Sequence, residues 1–249
     1  MTKFYYIFIF LCLCMLSAIL SAGPLIIGRG DGQYPPYEWL EGNSYKGIHI
    51  ELIEKAAKNL NINISFTSLP WSRALVELKQ GSIAALTFVS QNAEREEFGI
   101  FLPGNVLSTT RLRLFKLKGQ QNYVFNGDLK SLQGSTIGIQ RNFSYSDEFD
   151  LSSLFLKVNF NSYEQALQMV TLNRVDFGLV NEYELQYIFK DDPRLANIEF
   201  VSPPINQSDV YLAFSKKAKL DSIADKFAAE ITRLKASSFY QELLQQYLH

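Results

Sequence analysis

Arg95 ends the run Asn92-Ala93-Glu94-Arg95, just past the apolar stretch Ile83 to Val89. A guanidinium suits the capture of a carboxylate, because its fork donates two parallel hydrogen bonds and it stays charged at any working pH. Spacing alone favours a plainer role, an exposed helix charge paired with Glu94, Glu96 or Glu97. Tyr34, on a Pro-bounded turn, and Trp71, at the head of an apolar stripe, are flat surfaces that either stack on a cation or planar group or pack into a core. Thr87 and Ser90, at the end of the stretch before Arg95, would add hydroxyl or backbone contacts. Arg141, Asn142 and Ser144 follow Thr136 to Ile139 and precede a helix start, where free N–H groups favour an anion or a carbonyl and where Ser144 is equally suited to ordinary capping. Asn181 follows Val175 to Val180; it accepts a hydrogen bond but brings no charge, and Glu182 stands beside it.

Other chemistries lack their residues. The two histidines are His49 and His249, so a Ser-His-Asp triad or a multi-histidine metal site would have to use His49, which instead reads as a packing or hydrogen-bonding residue. Among acids the candidates for general acid–base work are Glu38, Glu41 and Glu182, with no suggestive pair spacing. Cys12 and Cys14 both lie in an N-terminal segment with the layout of a secretory signal: Lys3, the uncharged run Phe4 to Leu16, then small residues with a cut after Ala22. Cleavage there leaves no cysteine, hence no disulfide and no thiolate ligand or nucleophile. Losing Lys3, the one charged residue before Gly23, moves the formal net charge from −1 to −2, which offers no basic excess for nucleic acid.

The elements that must position these residues alternate between strand and helix patterns, which predicts an α/β fold with largely parallel sheets. Strands are expected at Leu25 to Gly28, Ile62 to Phe66, Ile83 to Val89, Thr136 to Ile139, Phe155 to Val158, Val175 to Val180 and Ile198 to Val201. Helical stripes run through Ile50, Ile53, Ala57 and Leu60, through Trp71, Ala74, Leu75 and Leu78, and through Tyr163, Ala166, Leu167 and Val170. Asn161 and Ser162 open the last of these, with Glu164 and Gln165 as capping-box partners. The final forty residues read as two helices. Thr110 to Leu117 and Val210 to Phe214 read as extended crossing segments; side by side they would divide the chain into lobe 1, residues 23–108 plus 210–249, and lobe 2, residues 109–209.

The order of motifs resembles the family 3 extracellular solute-binding proteins, which deliver polar amino acids to ABC transporters. The resemblance covers nearly the whole mature chain and rests on Tyr34-Pro35-Pro36-Tyr37, Gly47, Pro70-Trp71, Gly81-Ser82-Ile83, Glu94-Arg95, Val175-Asp176, Phe214-Ser215-Lys216 and the paired closing helices. It implies a two-lobed type II clamshell, each lobe a mixed, mostly parallel sheet flanked by helices, joined by two hinge strands near Asn105 to Thr109 and Val210 to Ser215. It further implies a monomeric periplasmic binding protein, not an enzyme, without metal or cofactor. Such a protein would close on a small carboxylate-bearing solute, an amino acid or a relative, and present it to an ABC permease or a membrane receptor.

In this resemblance Arg95 holds the ligand carboxylate, Tyr34 and Trp71 pack on the ligand's body, and Thr87, Ser90, Asn142 and Ser144 contribute polar contacts. The stretch Gly81 to Arg95 is one residue shorter than usual for the family. Asn181 stands where amino-acid binders of this kind usually carry an aspartate for the ligand's ammonium. Two other expectations stay open beside transport: an orphan sensor that reports to a receptor, and a dehydratase-like enzyme on the same scaffold.

Overall fold

The computed structural model describes residues 23–140, 143 and 145–248; residues 1–22, expected to be a secretory signal, together with Arg141, Asn142, Ser144 and His249, lie outside the described residues. The chain opens with β1 (Leu25–Gly30), the hairpin β2 (Trp39–Glu41) and β3 (Ser44–Lys46), then α1 (Ile48–Leu60), β4 (Ile64–Leu69), α2 (Trp71–Gln80) and β5 (Ala85–Ser90). The short α3 (Ala93–Glu96) and β6 (Gly99–Ile100) lead into the long crossing strand β7 (Val106–Leu117). Then follow β8 (Thr136–Gln140), α4 (Asp147–Leu151), β9 (Leu156–Phe160), α5 (Tyr163–Thr171), β10 (Phe177–Asn181), α6 (Glu182–Ile188) and β11 (Ile198–Phe200). A second crossing strand, β12 (Asn206–Ser215), returns to α7 (Asp221–Lys235) and α8 (Ser238–Leu248).

Two lobes arise because each builds the same unit. In the first, β1 lies between β4 and β5 and pairs parallel with both; in the second, β8 lies between β9 and β10 and pairs parallel with both. Each unit therefore has its first strand in the middle, which leaves a topological switch point beside it; in such sheets, ligands sit beyond the carboxyl ends of the strands. The crossing strands join the halves: β12 runs antiparallel to β5 and to β7, and β7 runs antiparallel to β10.

Both lobes are layered. Ile48, Leu52, Ile53, Ala56 and Ala57 of α1 meet Ala224, Phe227, Ile231 and Leu234 of α7 and Leu243 and Tyr247 of α8 on one face of the first sheet. On its other face, Ala74 and Leu78 of α2 cover Leu86, Val89 and Ala213. The second lobe buries Ala166, Leu167, Val170 and Leu185 around Phe115 and Phe160, and packs Leu129, Leu132, Phe149 and Phe155 on the opposite face. Each large side chain sealed in this way contributes roughly 1.5–3 kcal/mol of transfer free energy.

Local sequence explains the entry to this core. Gly47 has φ of +115°, and a Cβ there would stand 2.3 Å from the Tyr37 carbonyl oxygen, so only glycine fits. That close approach lets Ile48 and His49 donate their backbone N–H groups to the Pro36 and Tyr37 carbonyls, both at 3.0 Å, and the Tyr34 to Tyr37 turn is thereby clamped to the start of α1. At the start of α5 Ser162 caps as expected, its Oγ accepting from Gln165 N–H at 3.2 Å, and Gln165 Oε1 accepts at 2.9 Å from the N–H of Asn161, one residue before the N-cap. The hairpin β2–β3 and the helix α6 are not expected from the sequence; each is too short for its apolar period to register.

Two irregularities shape the ground between the lobes. Where β7 and β12 pass from one lobe to the other, the register moves from Val210↔Ser108 to Tyr211↔Val106, so Leu107 is the extra residue of a bulge. In β5, Thr87 and Phe88 stand opposite Leu212 alone, and Phe88 has φ of +57°. A bulge re-aims the side chains around it.

Candidate functional site

A cavity of about 760 Å³ opens between the lobes at the carboxyl ends of their parallel strands. Gln33 and Tyr34 enter it from the turn after β1, and Phe88 and Ser90 from the end of β5. Gln140, Phe143 and Tyr145 reach it after β8, Ser162, Tyr163 and Glu164 after β9, and Val180, Asn181 and Glu184 from the β10–α6 junction. Thr110, Leu112, Asn206, Ser208 and Val210 of the crossing strands form the floor. The switch points of both lobes thus converge on one space.

Of the residues expected from sequence, Tyr34, Ser90 and Asn181 share this cavity. Asn142 and Ser144 lie outside the described residues, although their neighbours Phe143 and Tyr145 are at the wall. Thr87 is fully buried beneath the bulge, its hydroxyl without a partner among the described residues, while Phe88 takes the place at the cavity wall. Arg95 stands one layer back: its Nη1 donates to the Ser90 carbonyl at 2.8 Å and its guanidinium lies over the Trp71 ring, 5.6 Å from the centroid. Trp71 is likewise absent from the lining. Burial lowers the Arg95 pKa and neighbouring Glu94 opposes that.

Asn181 works first as a helix cap. Its Oδ1 accepts the backbone N–H groups of Tyr183 at 3.2 Å and Glu184 at 3.4 Å, and also the Tyr37 hydroxyl of the other lobe at 3.3 Å. With its oxygen engaged three times, the carboxamide has only its NH₂ left for a ligand. The sequence carries a signal for this helix start, Asn followed by acids at Glu182 and Glu184, which is the pattern of an N-terminal turn.

Acidic groups near the cavity differ sharply in how they are compensated. Glu182, adjacent to Asn181, turns away and binds Arg113 at 2.6 Å. Glu164 lines the cavity but is bridged by Arg194 at 2.8 Å, which holds its carboxyl below the usual range. Glu184 faces the cavity with no basic partner among the described residues; it accepts the Tyr163 hydroxyl at 2.8 Å. Burial pushes its pKa up to about 7, with that hydrogen bond pulling the other way. Tyr163 is itself driven well above its ordinary value, first by burial and then by Glu184. Aromatic rings enclose the same space: Tyr34 stacks on Phe88 at 5.5 Å, and Phe143 meets Tyr145 at 4.9 Å.

The acids considered for catalysis do not converge. Glu38 is sealed between Arg29 (3.7 Å) and His49 (3.6 Å), Glu41 is exposed, and none of Glu38, Glu41 and Glu182 lines the cavity. His49 is fully buried, its Nε2 2.8 Å from Ser108 Oγ on the crossing strand; burial lowers its pKa, partly offset by Glu38. Arg73 pairs with Glu77 on the surface of α2. The chain accordingly presents a shaped, mostly uncharged container.

The profile of bacterial extracellular solute-binding proteins, family 3, matches residues 26–249. The chain is 22% identical over 225 residues to the probable amino-acid-binding protein YxeM of Bacillus subtilis (strain 168), covering 88% of this chain and 81% of that one. It is 22% identical over 228 residues to an arginine-binding periplasmic protein of Mannheimia haemolytica, covering 86% and 87%. Among solved structures, an ancestral cationic amino acid solute-binding protein aligns with a TM-score of 0.73 at 18% identity, covering 94% of this chain and all of that one. Fold, motif order and profile agree: the chain belongs to the family 3 bacterial extracellular solute-binding proteins.

Proposed function

We propose that the protein captures a small amino acid, or a close relative carrying a carboxylate, between its lobes and hands it to an ABC transporter outside the cytoplasmic membrane. The observation that carries this reading is the cavity of about 760 Å³ lined from both lobes and floored by both crossing strands. A solute touching both halves at once stabilises the shut form by its differential affinity, and a permease can read that shape. Relatives named as amino-acid and arginine binders support the ligand class.

Within this reading lobe 1 comprises residues 23–108 and 210–249 and lobe 2 residues 109–209, a division supported by the separate hydrophobic clusters. Arg95 takes the ligand carboxylate. Its Nε and Nη2 have no partner among the described residues, and Ser90, which it already holds, is at the cavity wall. Tyr34 and Phe88 form the apolar wall, and Asn181 contributes its NH₂. Calorimetry on the purified protein with amino acids, amines and small carboxylates is the test: micromolar or tighter binding within the panel is expected, and silence across it would sink the reading.

A further inference from the structure

Among the described residues, the charges around the cavity do not balance. Among the described residues no lysine or arginine lines it, and its two acids are unequal, since Glu164 is neutralised by Arg194 and Glu184 is not. Glu184 Oε2 takes the Tyr163 hydroxyl, while Oε1 has no hydrogen-bond partner among the described residues. Glu182, two residues earlier, is spent on Arg113, and Asn181 has its oxygen committed to capping and to Tyr37. Among the described residues, the groups facing Glu184 from the surrounding elements are Tyr163 on α5 and Tyr34 and Tyr37 on the turn of the other lobe, all neutral at working pH. A carboxylate left uncompensated in a closing cavity costs free energy that a ligand cation would recover.

The walls suit the same kind of group. Tyr34, Phe88, Phe143, Tyr145, Tyr163 and Phe189 line the space, and aromatic faces attract ammonium and guanidinium ions electrostatically. We infer that Glu184 is the specificity-determining counter-ion of this site, pairing with an ammonium or guanidinium group of the ligand inside an aromatic enclosure. This rests on the capture reading above and narrows its solute to one with a cationic head. Asn181 leaves the position one helical turn earlier uncharged, and Glu184 supplies the missing negative charge from the first turn of α6.

A consequence is proton exchange. Glu184 has to be ionised to pair with the cation, and its carboxyl titrates at about 7, so capture near or below neutrality releases a proton. Affinity for a cation then falls as pH drops below that value, by at most tenfold per pH unit.

Calorimetry with L-lysine, cadaverine and hexanoate, on the wild-type protein and Glu184→Gln, tests this. Both cationic probes should bind more tightly than hexanoate, and Glu184→Gln should weaken them at least tenfold at pH 8 while leaving the circular dichroism spectrum unchanged. Between pH 6 and pH 8 the wild-type affinity for L-lysine should rise and that of the variant should stay flat; Glu184→Asp, retaining charge with shorter reach, should keep part of the pH dependence. Glu184→Gln binding within twofold of wild type, or hexanoate binding as well as cadaverine, overturns the inference. If neutral or acidic amino acids bind without any preference for a cation, the inference fails while capture stands. Failure of every amino acid, amine and carboxylate defeats both.

Discussion

Tyr37 in one lobe donates its buried hydroxyl to Asn181 Oδ1 in the other, at 3.3 Å, and that same oxygen caps α6. Lobe contact and helix initiation therefore share one atom. Tyr187, farther along α6, adds a second bridge by packing 5.6 Å from Trp39 of the first lobe.

Tyr37→Phe removes the hydroxyl and keeps the ring contacts with Phe88 and His49. A neutral hydrogen bond contributes about 1 kcal/mol net, so the balance between shut and open forms should shift up to about fivefold toward open. Small-angle scattering without ligand should show a larger radius of gyration. An unchanged profile would mean that Trp39 and Tyr187 hold the lobes without this bond.

Asn181→Ala should cost about 1 kcal/mol of stability through loss of the α6 cap, and Asn181→Asp, which keeps an acceptor, clearly less. Denaturant unfolding at pH 8 measures both. Equal losses would show that the cap is not what Asn181 contributes.

Arg95→Ala should weaken a carboxylate ligand by about 2–5 kcal/mol if the guanidinium reaches it in the shut cleft. A carboxylate-free amine should be affected far less. The contrast matters, because Arg95 also ties Ser90 and covers Trp71. Equal weakening of both ligand types in titration calorimetry would assign Arg95 to positioning the wall, and no change would return it to a surface charge.

Glu184 should make the ligand-free protein lose stability as pH rises. Its folded pKa, about 7, lies above the ordinary carboxyl value of 4.5, so the folded state binds the extra proton between those values. The contribution is complete below pH 4.5 and is lost as pH rises through 7. Glu184→Gln should thus match wild type near pH 4.5 and exceed it at pH 8, by roughly 3 kcal/mol at most. His49 acts with the opposite sign, because burial lowers its pKa and acid favours the unfolded form below about pH 6.5. It is present in both proteins and cancels in the comparison. Parallel stability curves from pH 5 to pH 8 would refute the role assigned to Glu184.

Much of the architecture is legible in the sequence. Strand alternation, apolar stripes and the two extended segments point to a two-lobed fold, and the strands containing those segments, β7 and β12, do pair; the register differs from the expected one, setting Thr110 to Leu112 opposite Ser208 to Asn206 and Val210 and Tyr211 opposite Ser108 and Val106. The site was readable in part. Tyr34, Ser90 and Asn181 meet at one cavity, but Phe88 replaces Thr87 there, because the β5 bulge depends on pairing with β12, far away in the chain. Nothing in the residues Ala85 to Ser90 marks which position will carry φ of +57°.

By itself the sequence determined the periodic elements, the glycine that α1 and the Tyr34 turn require, and a set of binding residues poor in catalytic chemistry. Such features follow from local sterics and from which faces must leave water. Only the tertiary structure decided which acids remain available. Glu164, Glu182 and Glu184 look alike in the chain, yet Arg194 and Arg113, brought in from distant positions, neutralise the first two and leave the third facing the cavity. Electrostatic compensation depends on distances between segments remote in sequence, and the fold alone sets those distances.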